Sequence, residues 1–348
     1  MKKFFTLLLA VISTMTAFAQ TEPAIELQAE VDGNTRTLTI GLATEGTVQI
    51  DWGNGEKVTS EVIPAFDGWN QVNVSGTVSG DGKVKIYGDN IVYFECSSRV
   101  DGAQVLSLDV TKATTLKDLT ANTNKLASID LTKNTELEKL TINNNQLTSI
   151  DISKCTKLTT LDITNNLLTA IDITKNQALQ TLRIGLNKFA GELDLSTNPT
   201  IKSVYAQINE LTAVKIGNNT ASKPTFSFNE NKLTSFDATG IEDAANAILF
   251  LIGNQLTEIK LPSTKMKTLN ILKNNFTLAT LPAPTVAKTF NYAPQNDYVI
   301  AESYKVGDVL DLSSQTSATL NTQFAVYKSD KTALTEGTDY TVADGKIT

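Results

Sequence analysis

An asparagine recurs at a nearly constant spacing through the middle of the chain, and this repeat limits the possible folds more than any other feature. The differences between successive sequence numbers are 21, 21, 21, 22, 22, 23 and 20. The segments LEKLTINNNQLTSIDISKCTK and LTTLDITNNLLTAIDITKNQA share the template LxxLxIxxNxLxxIDIxxxxx. A period of this length indicates a solenoid, in which each turn buries its apolar side chains against its two neighbours. The repeated residues are Asn124, Asn145, Asn166, Asn187, Asn209, Asn231, Asn254 and Asn274.

The apolar positions of each repeat predict its core. Residues three and five before the Asn, such as Ile142 and Leu140, are expected to point inward from a short strand. A second apolar pair, such as Ile150 and Ile152, is expected to close the core from the opposite side. The Asn side chain should bond backbone groups of neighbouring turns in a ladder. Because the repeat is short, we expect extended segments or single 3₁₀ turns on the convex side, and no long helix.

The first part of each repeat, LxxLxLxxNxL, resembles the signature of leucine-rich repeats. The resemblance implies a mainly β solenoid over residues 91–282, with an entry turn at 91–115. It would consist of about eight repeats of about 20–23 residues each, a length typical of this family. Residues 48–56, VQIDWGNGE, are similar to the WGDG turn of small β-sandwich modules that precede such repeats in secreted bacterial proteins. This likeness implies an N-terminal β-sandwich-like domain over residues 20–90. Asn54 stands where those modules have Asp, which argues against calcium in this turn.

The end of the chain also resembles secreted repeat proteins. NYAPQNDYVI and KVGDVLDLSS are similar to the exit cap of internalin-like proteins, and the tail resembles the start of a bacterial immunoglobulin-like module. The resemblance implies that residues 283–348 hold an exit cap and the start of an immunoglobulin-like β module. The stretch from residue 292 to the last residue is too short for a complete sandwich of about 100 residues. The natural chain is therefore expected to continue beyond Thr348.

The N-terminus predicts export. In MKKFFTLLLAVISTMTAFAQ, two lysines precede an apolar run, and Ala17-Phe18-Ala19 is a small-x-small cleavage site. This pattern is typical of a signal peptide over residues 1–19. No later segment approaches about 18 consecutive apolar residues, so no transmembrane segment is expected. With the resemblance, the leader implies a protein that is secreted or displayed on the extracellular face of the outer membrane.

Composition excludes several classes of chemistry. The chain has no His and two Cys, which excludes His-based catalysis and leaves no set of ligands for zinc. A formal net charge of −7 argues against nucleic acid as a partner. No cofactor and no metal are expected, and we expect a monomer that is not an enzyme. Five acids recur at one position of the repeat: Asp130, Asp151, Asp172, Asp194 and Asp237. Two interpretations of this column stay open, local caps of the turns or a ladder of metal ligands, and the caps are favoured.

The two cysteines test the register of the repeats. Cys96 falls on an inward position of the entry turn, and Cys155 falls on the opposite side between two later repeats. Several turns separate them at about 5 Å each, whereas a disulfide requires Cα atoms within about 7 Å. We therefore predict two free thiols, with Cys96 buried.

One strand breaks the pattern of the exposed face. Residues two, four and six before each Asn should project from the concave sheet, and in the first repeats they are polar. In the run ILFLI, residues 248–252, the same positions are all apolar. Two explanations stay open: a contact surface for a partner, or cover by the following domain or by the loop TGIEDAANA, whose IEDAANAI can form a helical turn. The residues concerned are Ile248, Phe250 and Ile252, with Leu272 beside them and Tyr205 two turns earlier.

The resemblance implies a non-catalytic recognition or adhesion protein. Its ligand would be a surface protein of a host or of another microbe, bound on the concave sheet. The alternative is a surface glycan-binding protein of a polysaccharide-uptake system, because Tyr205 lies near Gln207 and Asp162. The residues expected to contact a ligand are Tyr205, Ile248, Phe250, Ile252, Leu272 and Arg183.

Overall fold

The structure is a computed structural model that describes residues 22–64, 70–98, 104–277, 280–293, 295–296, 309–311, 332–343 and 346–347. The expected signal peptide and most of the expected C-terminal module lie outside these residues. Within them the chain consists of β-strands and two 3₁₀ turns, with no α-helix. The prediction of a mainly β solenoid is confirmed.

Eight strands form a two-layered β-sandwich at the N-terminal end of the described chain. They are β1 (Ile25–Ala29), β2 (Thr35–Leu42), β3 (Gly46–Asp51), β4 (Lys57–Pro64), β5 (Asn70–Thr77), β6 (Lys83–Tyr87), β7 (Ile91–Glu95) and β8 (Val105–Asp109). One sheet has the order β4-β3-β6-β1-β8, and the other begins β4-β5-β2-β7. In β2, threonines face outward while Leu38 and Ile40 are fully buried, as alternation along a strand requires.

The turn between β3 and β4 is the WGNG segment noted in the sequence. Oδ1 of Asp51 accepts hydrogen bonds from the backbone N–H groups of Gly53 and Gly55, both at 2.9 Å. Trp52 is buried, and its indole lies so close to Gly76 of β5 that a Cβ there would be 2.2 Å from Cε2. The acid therefore shapes the turn, and the glycine admits the indole to the core.

The rest of the described chain winds into about nine turns of a parallel β-solenoid. The concave sheet consists of β9 (Asp118–Thr120), β10 (Lys139–Thr141), β11 (Thr160–Asp162), β12 (Thr181–Arg183), β14 (Ser203–Tyr205), β16 (Thr225–Ser227), β18 (Ile248–Phe250), β20 (Met266–Asn270) and β21 (Ala287–Asn291). Two short parallel pairs lie elsewhere on the turns: β13 (Ala190–Asp194) with β15 (Glu210–Lys215), and β17 (Ser235–Asp237) with β19 (Glu258–Lys260). In the described residues, the other connections include two single 3₁₀ turns, Ala244–Asn246 and Pro284–Val286, as expected.

A small antiparallel sheet follows near the C-terminus. It consists of β22 (Leu310–Asp311), β23 (Val342–Ala343) and β24 (Lys346–Ile347). β24 lies between the other two strands.

Strand β7 joins the sandwich to the solenoid. On one edge β7 pairs antiparallel with β2, and on the other edge it pairs parallel with β9. The sandwich sheet therefore runs directly into the concave sheet, and one hydrophobic core extends through both. At the far end, β21 extends the parallel sheet past residue 282.

The inward positions predicted from the repeat form the core. Leu140 pairs in register with Leu119 on one side and Leu161 on the other, and all three are fully buried. Ile152 is buried and Ile150 packs partly buried against the same core. Identical positions of successive turns therefore stack in columns, as a solenoid requires.

The predicted asparagine ladder is present at all eight repeats. At Asn145, Nδ2 donates to the carbonyls of Ala121 (2.9 Å) and Ile142 (3.2 Å), and Oδ1 accepts the N–H of Leu126 at 3.0 Å. The side chain thus bonds the preceding turn and its own strand. Gln295, one repeat after Asn274, takes this place in the exit turn and donates to the carbonyl of Ile271 at 3.1 Å. Equivalent bonds occur at Asn124, Asn166, Asn187, Asn209, Asn231, Asn254 and Asn274.

A second asparagine ladder, which the repeat template does not predict, runs inside the opposite side of the solenoid. Its members are fully buried: Asn134, Asn176, Asn198 and Asn219. Nδ2 of Asn176 donates to the carbonyls of Ile152 (3.1 Å) and Cys155 (2.8 Å). Cys155 occupies the ladder position between Asn134 and Asn176, where its thiol lies 3.8 Å from the carbonyl of Leu131. The ladder is therefore weakest at Cys155.

The prediction of two free thiols is confirmed. Cys96 and Cys155 are both unpaired and buried. Burial raises the pKa of Cys96 to about 12 and that of Cys155 to about 11. Both groups are protonated at neutral pH, and they act as small core side chains.

We expect Cys155→Asn to stabilise the protein. The amide would offer two donors to the preceding turn, as Asn134 does to the carbonyls of Val110 (3.0 Å) and Ala113 (2.9 Å). The two added hydrogen bonds contribute about 1 kcal/mol each, whereas the amide oxygen, like that of Asn134, would be buried without a partner and costs at least about 1 kcal/mol, so chemical denaturation should show a gain in the free energy of unfolding of no more than about 1 kcal/mol. Cys155→Ala, which adds no donor, is the control and should not stabilise. Equal stability of both variants would mean that the ladder position contributes no hydrogen bond.

Candidate functional site on the concave sheet

The predicted ligand-contacting residues lie on one face of the concave sheet. Arg183, Tyr205, Ser227, Phe250 and Asn270 are aligned in register on successive strands from β12 to β20. Tyr205 and Phe250 are thus two strands apart, with Ser227 between them. At the strand spacing of about 4.8 Å, their Cα atoms are about 10 Å apart.

Strand β18 and its extension carry a continuous apolar surface. Leu249 and Leu251 are fully buried in the core, while Ile248, Phe250 and Ile252 alternate with them and are half-buried. Leu272, on the next turn, is also half-buried on this face. These four residues form what we name the apolar patch: Ile248, Phe250, Ile252 and Leu272.

Tyr205 and Arg183 form a separate pair beside the apolar patch. The guanidinium Cζ of Arg183 lies 4.7 Å from the centroid of the Tyr205 ring, within range of a cation–π contact. One face of the ring is therefore occupied by the guanidinium. Strand β16 separates this pair from the patch with short polar side chains, and Ser227 is nearly inaccessible at 6%.

The loop before β18 forms the helical turn expected from its sequence. Residues Ala244–Asn246 make one 3₁₀ turn, and Ala244 is buried in the core together with Ala247. Oδ2 of Asp243 accepts the backbone N–H of Lys223 at 2.8 Å, which ties the loop to the preceding turn. The apolar patch retains part of its exposed surface beside this loop.

The first turns of the concave sheet are polar and internally bonded. Nζ of Lys139 lies 3.1 Å from Oδ2 of Asp118. Burial raises the pKa of Asp118, and the charge of Lys139 opposes this shift. Oδ1 of Asn122 accepts the N–H of Asn143 at 3.0 Å. These side chains are held in place by their neighbours before any ligand arrives.

An exposed apolar rim, which the repeat template does not predict, borders the face. Leu167, Leu186 and Ile208 lie on three successive turns and are 41%, 42% and 48% exposed. Leu186 and Ile208 have left-handed backbones, with φ of 55° and 57°, which is unfavourable for bulky residues and above all for β-branched ones. The repeat places Asn144 and Asn165 at the same position, where the left-handed backbone is easily adopted. In the sequence, the rim is visible as an apolar residue directly before or after the ladder Asn.

The column of acids forms local caps. Oδ1 of Asp130 accepts the backbone N–H (2.9 Å) and the hydroxyl (2.7 Å) of Thr132. These bonds lower the pKa of Asp130, the hydroxyl bond most. Similar caps occur at Asp151, Asp172, Asp194 and Asp237. Among the described residues, no group of three or more acids or cysteines is placed to hold a metal ion.

A family model identifies the repeats. The model described as leucine-rich repeats (two copies) matches residues 135–176. This segment contains β10, β11 and the ladder residues Asn145 and Asn166, and its geometry recurs along the whole concave sheet. The chain therefore carries leucine-rich repeats within its β-solenoid. Leucine-rich-repeat proteins in general mediate protein–protein interaction, and the fold is typically non-catalytic.

Several solved structures are similar to the chain at low identity. The functional domain of InlJ from Listeria monocytogenes is 18% identical, with a TM-score of 0.48, over 70% of this chain and 60% of that one. A leucine-rich-repeat protein of Leptospira interrogans is 18% identical, with a TM-score of 0.41, over 53% and 57%. The leucine-rich-repeat ectodomain of the receptor kinase GASSHO1/SCHENGEN3 from Arabidopsis thaliana is 21% identical, with a TM-score of 0.42, over 53% and 26%. The chain thus spans less than two thirds of each of these structures.

No curated protein matches the sequence. In the part of the chain that the structure describes, no helix has the length and apolar character needed to span a bilayer.

Proposed function

We propose that this leucine-rich-repeat chain is a non-catalytic recognition protein that binds a protein partner on the concave sheet at the apolar patch. The observation that carries the proposal is strand β18, where Ile248, Phe250 and Ile252 are apolar and half-buried on a face that is polar in the first repeats. Folding explains the buried Leu249 and Leu251, but it gives no reason for an apolar outer face.

The arrangement around the patch is typical of a protein interface. Interfaces concentrate their binding free energy in a few aromatic and apolar anchors that polar residues surround. Phe250 is such an anchor, flanked by Ser227 and Asn270 on the adjacent strands. Full burial of a Phe side chain contributes about 1.5–3 kcal/mol. The exposed rim at Leu186 and Ile208 offers the partner further apolar area.

The leader-like N-terminus supports a location outside the cell, where a recognition protein meets its ligand. Residues 1–19 have the charge, apolar run and cleavage site of a signal peptide. The proposed role is adhesion to a surface protein of a host or a neighbouring microbe, by a monomer that is secreted or displayed on the outer membrane.

We predict that Phe250→Asp reduces partner binding at least tenfold and leaves the melting temperature nearly unchanged. A carboxylate at the centre of the contact would remove the anchor and would be desolvated on binding, and a tenfold loss corresponds to about 1.4 kcal/mol. The measurement is saturable binding of labelled surface proteins from host cells and from bacteria to the immobilised chain of residues 20–348.

The control for this test is Thr141→Asp, which adds the same charge on the same face at β10 and should leave binding intact. Extracts treated with protease should lose the bound material. Binding that survives Phe250→Asp would contradict the proposal. A large fall in melting temperature would also contradict it, because that result would place Phe250 in a core.

A further inference from the structure

The exposed face of the concave sheet continues onto the sandwich, where it holds a third aromatic residue besides Tyr205 and Phe250. Tyr93 of β7 pairs with Asp118 of β9 on one side and with Gly41 of β2 on the other. Phe94 between Tyr93 and Glu95 is fully buried, so both Tyr93 and Glu95 lie on the outer face and are half-buried.

The Tyr93 side chain is held at both ends. A Cβ on Gly41 would lie 2.8 Å from Cβ of Tyr93 and 3.4 Å from the carbonyl oxygen of Asn70, so only glycine fits there without a shift. The hydroxyl of Tyr93 donates to Oε2 of Glu95 at 2.9 Å. A ring fixed in this way loses little conformational entropy when a ligand contacts it.

The groups around this ring are planar or hydroxylic and polar. The hydroxyl of Thr39 donates to Oδ1 of Asn73 at 2.7 Å, which orients the exposed amide of Asn73. On the other side, Asp118 is oriented by Lys139 at 3.1 Å. The formal charges of Glu95, Asp118 and Lys139 sum to −1, which disfavours a polyanion.

We propose that this area, which we name the Tyr93 site, binds a neutral polysaccharide. The C–H groups of a sugar ring are weakly positive and pack against the negative face of an aromatic ring. Carboxylates, amides and hydroxyls at fixed positions can bond pairs of adjacent sugar hydroxyls. The Tyr93 site consists of Tyr93, Gly41, Glu95, Asp118, Asn73 and Thr39.

The Tyr93 site differs in chemistry from the apolar patch and is independent of it. Seven strand spacings separate β7 from β18, which is about 34 Å at about 4.8 Å per strand. A protein contact normally needs several desolvated apolar anchors. The Tyr93 site offers one aromatic ring within a polar field, and this combination favours a sugar.

The test is affinity electrophoresis of the folded chain of residues 20–348 in gels cast with one neutral polysaccharide each: an α-glucan, a β-glucan, a xylan and a mannan. We expect at least one polymer to retard the wild type. Tyr93→Ala should weaken this retardation at least tenfold, and Glu95→Gln should weaken it at unchanged melting temperature. Tyr205→Ala, the control on the same face, should be retarded like the wild type.

Three outcomes would overturn the proposal. These are no retardation by any of the four polymers, retardation that persists in Tyr93→Ala, and loss only in Tyr205→Ala. If Tyr93→Ala has a lowered melting temperature, Glu95→Gln decides, because it keeps the size of the side chain and removes the charged acceptor. Phe250→Asp should not affect this binding, so the two proposals fail or stand separately.

Discussion

Asn166→Leu is expected to lower the free energy of unfolding by about 2–5 kcal/mol, since the buried N–H of Leu147 is left without a partner, at about 1–3 kcal/mol, and each lost bond to a carbonyl that keeps another ladder donor costs about 1 kcal/mol. Nδ2 of Asn166 donates to the carbonyls of Ile142 and Ile163, both at 3.1 Å, and Oδ1 accepts the N–H of Leu147 at 3.0 Å. Leu has nearly the same volume and cannot make these bonds. The side chain is only 5% exposed, so water cannot readily replace the amide.

The effect should appear as a loss of cooperativity as well as of stability. Each turn contacts only its neighbours, so an interruption at Asn166 separates the turns before it from those after it. Urea unfolding monitored by circular dichroism should show an earlier transition or two transitions. The control is Asn165→Gly, which removes an exposed side chain from a left-handed position (φ 54°) and should change stability by less than about 1 kcal/mol. Equal effects of the two changes would contradict the role assigned to the ladder.

Gly240→Ala is expected to destabilise the protein by about 2–4 kcal/mol, at the upper end of the range for overpacking. A Cβ at this position would lie 1.7 Å from the carbonyl oxygen of Gly217 and 2.8 Å from its carbonyl carbon. These are backbone atoms of the preceding turn, so the steric clash can be relieved only if the two turns separate. Separation would strain the 2.7 Å hydrogen bond from the N–H of Asn219 to the carbonyl of Gly240.

Gly33→Ala is the matched control for this second prediction. Gly33 has a left-handed backbone (φ 79°), and nothing lies within 4 Å of a Cβ placed there. Gly33→Ala therefore introduces backbone strain in a surface turn without a steric clash, and this strain costs about 1–3 kcal/mol. Thermal unfolding should show the larger fall for Gly240→Ala, together with faster hydrogen exchange at Asn219. A tolerated alanine at position 240 would mean that the two turns are not in close contact.

The solenoid could be predicted from the repeat because the pattern of a single period identifies both the buried positions and the ladder Asn of every turn. The positions of Leu140 and Ile142 relative to Asn145 recur, and recurrence identifies inward side chains without knowledge of long-range contacts. The free thiols followed from the same register. Gln295 and the second ladder could have been found by the same spacing, but they require that Gln and Cys155 be accepted at positions where other turns have Asn.

The join between sandwich and solenoid could not be predicted in this way. β7 pairs with β2, which lies much earlier in the chain, and no period links the two strands. The contact between Tyr93 and Gly41 depends on this pairing, so neither residue stood out in the sequence. The left-handed conformation of Leu186 and Ile208 also could not be predicted from these residues, because Leu and Ile do not favour it. It follows from their position directly before the ladder Asn, where Asn144 and Asn165 have the same conformation.

The most direct test of the central proposal, protein recognition at the apolar patch, is site-specific photo-crosslinking. A photoreactive benzoylphenylalanine would replace Phe250 in one preparation and Lys154, an exposed residue away from the concave face, in another. Both would be irradiated with the same labelled surface-protein extracts. The proposal predicts a protein adduct from position 250 and none from position 154. Adducts from position 154 alone, or equally from both, would contradict recognition on the concave sheet.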